Sequence, residues 1–72
     1  MFTRNDYADY CNQIITLENK MELIYREMAA RLTNKECIKV FEQMASEEVI
    51  HAKTTEDVLN MLTSDKNGKP AR

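Results

Sequence analysis

Glu48-Val49-Ile50-His51 sets a carboxylate and an imidazole three residues apart, and Glu18 stands thirty residues before Glu48. Positions i and i+3 share one helix face, so Glu48 and His51 can grip a single metal ion. Carboxylate-rich ligation with one imidazole per ion suits iron, with manganese as the alternative, better than a thiolate zinc site. Both residues interrupt an apolar stripe: Cys37, Phe41, Met44, Glu48, His51, Thr55, Val58, Leu62, in alternating steps of four and three. Such a stripe is the core face of an amphipathic helix. Ionisable groups there are costly unless paired or coordinated, so the chain gives up core stability for a site.

Two long helices must carry these residues. The first is expected over about 5–32, with Asn5 or Asp6 as its cap. Its seam reads Tyr7, Tyr10, Ile14, Leu17, Met21, Ile24, Met28, and Cys11, Glu18, Tyr25, Leu32 flank it at seven-residue spacing. Thr33-Asn34-Lys35-Glu36 fits a capping box, with Thr33 accepting from the backbone and Glu36 reaching back; it starts a second helix over 34–63. Residues 1–63 therefore form an all-α antiparallel hairpin, and the polar stretch 64–72, with Gly68 and Pro70, is expected to be a disordered tail.

A short turn at Thr33 brings the ligands to one height. Glu18 lies fifteen residues before it and Glu48 fifteen after it, so both sit about 22 Å from the turn, at roughly 1.5 Å of rise per residue. His51 is less than a turn further on, and Glu18, at the edge of its seam, can lean across. Two helices cannot enclose a core, so the expected state is a homodimer forming a four-helix bundle. Pairing doubles the donors to two Glu18, two Glu48 and two His51. Four carboxylates and two neutral imidazoles sum to −4, which two divalent cations neutralise.

These residues resemble the ferritin-like superfamily, most closely the encapsulated ferritins of half-bundle type, and next the rubrerythrin-like proteins. Glu18, Tyr25 seven residues later and Glu48-Val49-Ile50-His51 carry the resemblance, which covers roughly 10–63. It implies Glu18, Glu48 and His51 as the iron ligands and catalytic residues of a ferroxidase centre completed between subunits, with Glu48 as the bridging carboxylate. Tyr25 becomes the tyrosine beside that centre. The implied activity is oxidation of Fe(II) to Fe(III) for iron storage or detoxification, in a homodimer or a larger ring, with an encapsulin-type shell as partner. Three features depart from the pattern. Leu17 and Lys20 replace acidic residues that flank the first-helix ligand, the stretch 64–72 is not an apolar targeting peptide, and no Cys-x-x-Cys pair supplies a rubredoxin module.

The rest of the composition narrows the class. A 72-residue chain with a net charge of −2 and mixed signs offers no basic stripe for nucleic acid. No apolar run approaches the roughly 18 residues of a membrane span, and Met1-Phe2-Thr3-Arg4-Asn5-Asp6 does not read as a signal peptide. A cytoplasmic location, or a protein compartment assembled there, is expected. Cys11 and Cys37 fall about 25–30 Å apart along the helix axes, beyond disulfide reach, and read as buried small hydrophobes. Glu22 and Glu27 read as solubilising charge, and Glu47 borders the seam. The rival readings are a metal-free dimeric helical interaction module, in which Glu48 and His51 fix register, and a rubrerythrin-like di-iron protein that reduces peroxide.

Overall fold

The computed structural model describes residues 3–63; the expectation for 64–72 falls outside them. Two helices make up the described chain, α1 (Arg4–Arg31) and α2 (Lys35–Thr63), packed antiparallel. The all-α hairpin is thus the observed fold.

The helix ends are set by side chains other than those the pattern singles out. Thr3 caps α1: its hydroxyl accepts from the Asp6 N–H at 3.1 Å, and the Asp6 carboxylate accepts from the Thr3 N–H at 2.8 Å. This is a full capping box, placed two or three residues before the expected cap. At the far end Leu32 turns extended (φ −81°, ψ 152°) while its N–H still bonds the Met28 carbonyl. No glycine is needed to stop the helix. α2 is capped by Asn34, not Thr33: its Oδ1 accepts from the Glu36 and Cys37 N–H groups, each at 3.0 Å. Asparagine is among the best N-caps, and an amide two and three residues before the N–H groups it serves outcompetes the hydroxyl one position back.

The row of α1 that meets α2 is Ala8, Cys11, Ile15, Glu18, Glu22, Tyr25, Ala29, Leu32; every member is buried or half-buried. Its counterpart on α2 is Ile38, Phe41, Ala45, Glu48, Ala52, Thr55, Leu59, Leu62, with the same property. Cys11, Ala29, Ala45 and Ala52 are the buried members; such small side chains let the backbones approach. Nearer the turn the Tyr25 and Phe41 rings lie 6.0 Å apart at 40°, inside the attractive range for aromatic pairs.

This corrects the expected first seam. Tyr7, Tyr10, Ile14, Leu17, Ile24 and Met28 are 41–58% exposed, and only Met21 in that row is half-buried. The flanking row, expected to be secondary, does the packing. Cys37 is likewise exposed, although Cys11 is buried as expected. The cause is that the hairpin is a single layer, 53 × 19 × 14 Å, and the third dimension is little more than one helix thick. One layer can cover one row per helix. The remaining apolar row opens onto one broad face, which Val40 and Val58 of α2 extend.

The polar surface carries local ion pairs: Arg26–Glu22 at 2.8 Å, Arg31–Glu27 at 2.7 Å and Lys53–Asp57 at 2.8 Å. The hydrogen bond that Lys53 donates to Asp57 holds its ammonium above the usual lysine pKa. Glu22, expected as solubilising charge, is instead half-buried in the row that faces α2 and is held by Arg26.

Candidate metal centre

Glu18 projects from the middle of α1 and Glu48 from the middle of α2, both in the rows that face each other across the hairpin. Their side chains are correspondingly covered, 15% and 17% exposed, whereas His51 is 61% exposed. The difference follows from helix geometry. His51 is rotated roughly 60° back from Glu48 at 100° per residue, and Leu17 roughly 100° back from Glu18. In antiparallel helices these equal senses of rotation lead to the same side of the hairpin. His51 therefore stands on the broad apolar face and turns its ring inward over the two carboxylates.

The contacts show that inward turn. His51 Nδ1 lies 3.4 Å from Glu48 Oε1 and 3.7 Å from Glu18 Oε2. One potential ligand atom from each of Glu18, Glu48 and His51 falls within 4.8 Å of the others, and among the described residues this is the group of three so placed. The Thr55 hydroxyl donates to Glu18 Oε1 at 3.1 Å. Side chains tilt towards the N-terminus of their own helix. Those of α1 thus slope away from the turn and those of α2 slope towards it, so Glu18 reaches residues further along α2 than its own level.

Chemically, two carboxylate oxygens and one imidazole nitrogen form a small acidic cluster, partly withdrawn from water. Carboxylates so close repel one another unless a cation lies between them. The donor types suit iron or manganese. Glu18, Glu48 and His51 would together hold such an ion through three donors, leaving its other coordination positions to further ligands. The residues therefore fit a metal-bound state in which a further molecule supplies the remaining donors.

Other singled-out residues stand apart. Tyr25 lies seven residues from Glu18, about 10 Å along the helix; it packs on the Phe41 ring and makes no hydrogen bond to Glu18, Glu48 or His51. Glu47 is exposed. Thr55 is the functional candidate that pattern reading passes over. As a seam position it reads as a packing residue, yet a hydroxyl at the seventh position after Glu48 lies on the same face and slopes back towards the carboxylates.

A family model described as Rubrerythrin matches residues 12–71. A search of curated proteins and a search of solved structures each found no match. Among the described residues no helix is long and apolar enough to cross a membrane.

Proposed function

Because the chain belongs to the rubrerythrin family, within the ferritin-like superfamily of di-iron proteins, we propose that two copies pair through their apolar faces and hold two iron ions in the doubled donor set. Each copy contributes Glu18, Glu48 and His51. The observation that carries this reading is the convergence of those three side chains within 4.8 Å at the border of an uncovered apolar face. A four-helix bundle of this kind takes one Glu from each of two helices and Glu-x-x-His from each of the other two, which is the inventory that pairing produces. The burial pattern supports pairing as well: the buried side chains among the described residues are all small, too little apolar area to stabilise a domain of this size alone.

The proposed activity is oxidation of Fe(II) to Fe(III). Two ferrous ions, bound as substrate, each give up one electron, and the electron pair with two protons from solvent reduces O₂ to hydrogen peroxide, or hydrogen peroxide to two waters. The protein's part is to bring two cations of like charge together by surrounding them with carboxylates, whose negative charge favours the ferric product. His51 supplies the neutral donor that keeps the set from exceeding the charge of two divalent ions. Reduction of peroxide, as in a rubrerythrin-like di-iron protein, is the second reading of the same site. A hairpin only 14 Å thick encloses no mineral, so storage of the product requires a shell built by other molecules, as in the encapsulated ferritins.

Anaerobic titration with Fe(II), followed by O₂ in one aliquot and hydrogen peroxide in another, tests the reading. One iron per chain and a rise of ferric absorbance are expected, with the faster rise naming the oxidant. Iron binding that survives in both Glu48→Ala and His51→Ala would overturn the assignment and leave a metal-free helical interaction module.

A further inference from the structure

Hydroxyl side chains inside these helices have a default behaviour, and Thr55 departs from it. Thr16, Ser46, Thr54 and Thr63 each return their hydroxyl to the carbonyl four residues back, at 2.8–3.1 Å, the usual local bond for such residues in mid-helix. Thr54, next in sequence to Thr55, bonds Ile50 in this way. Thr55 instead donates across the hairpin to Glu18 Oε1 at 3.1 Å, a contact between residues thirty-seven apart and partly shielded from water. The same carboxylate turns its other oxygen, Oε2, towards His51 at 3.7 Å.

We infer that Thr55 is a positioning residue of the metal centre: by occupying Oε1 it fixes the Glu18 carboxylate and presents Oε2 as the ligating oxygen. This rests on the metal-binding reading above and goes beyond it. Glu18 is the one ligand each copy draws from α1, so its direction depends on something that crosses the hairpin, and Thr55 provides that link from α2. Without it the carboxylate keeps only its longer approach to His51 Nδ1, at 3.7 Å. A hydroxyl bond to a carboxylate is charge-assisted and directional, and partners of this kind, which orient a ligand without touching the metal, commonly change metal affinity by about 10–100-fold.

The test uses the full chain and Co(II) alone as probe, with affinity measured by titration and ligand geometry by the cobalt absorption bands. Thr55→Val removes the hydroxyl at nearly constant shape. It is expected to weaken Co(II) binding about tenfold and to alter the bands, while the metal-free variant keeps its helicity and its melting temperature. Thr55→Ser keeps the hydroxyl and is expected to restore both affinity and spectrum. Should Thr55→Val disturb the fold, Thr55→Ala carries the same comparison. Val and Ser variants that bind equally weakly would show a packing role and overturn the inference. A Thr55→Val protein indistinguishable from the parent would overturn it too, yet leave the metal centre standing if Glu48→Ala abolishes binding. A parent chain that binds no Co(II) would remove the metal centre itself, and the role of Thr55 with it.

Discussion

Two rows on α1, offset by about a quarter turn, meet opposite fates. Ala8, Cys11, Ile15, Glu18, Glu22, Tyr25, Ala29 and Leu32 are covered by α2, while Tyr7, Tyr10, Ile14, Leu17, Ile24 and Met28 remain open. The open row is the more apolar of the two. The covered row is the one whose small members permit close helix approach, and it includes two glutamates. Hydrophobicity alone thus does not choose which face closes a hairpin. Close approach decides the first contact, and the richer apolar row is left for a second surface. The three residues proposed to hold metal lie along the border between the rows: Glu18 and Glu48 within the closed seam, His51 on the open side. A second hairpin set on the open face would cover His51 and complete the donor set in one step.

The comparison can be broken most decisively on the open row. Leu17→Glu combined with Ile24→Glu places charge on that face and is expected to weaken self-association by at least about a thousandfold, roughly 4 kcal/mol. Sedimentation velocity reads this directly. If the open face is a pairing surface, the parent's melting temperature also rises with protein concentration; a parent that is monomeric and melts independently of concentration rules that surface out. Next in size is the border itself: His51→Ala is expected to lower Fe(II) affinity by about a hundredfold, roughly 2.7 kcal/mol, measured by anaerobic calorimetric titration. On the closed row, Ala45 is fully buried, so Ala45→Leu is expected to cost about 1–3 kcal/mol by overpacking, read from urea unfolding. The smallest effect belongs to the ion-paired surface. Arg31→Ala breaks a pair with both side chains largely exposed, and no measurable change in melting temperature is expected.

Much of this was legible before any coordinates. The alternation of three- and four-residue steps specifies two helices, because nothing else keeps apolar residues on one face over that length. The absence of Gly and Pro before residue 64 leaves the Thr33-Asn34 capping signal as the one break, and equal counting from that break puts Glu18 and Glu48 at one height. Cap identity was less legible: Thr33 and Asn34 both offer an acceptor to the same N–H groups, and only their relative placement at the turn picks Asn34. Thr55 was hidden for another reason. A threonine in an apolar seam looks like a small packing residue until the tilt of both helices' side chains is taken into account.

Helix periodicity and a single interruption therefore determine, from the residue order alone, an all-α hairpin with two glutamates and a histidine near one level. Those are properties of one chain's local geometry, and they hold whichever way each helix is rolled about its axis. The roll itself is a tertiary decision. It depends on which side chains allow the backbones closest to each other, and here four small residues settle it. That roll turns Glu18 towards His51 and the Thr55 hydroxyl, and leaves the richest apolar row exposed beside them.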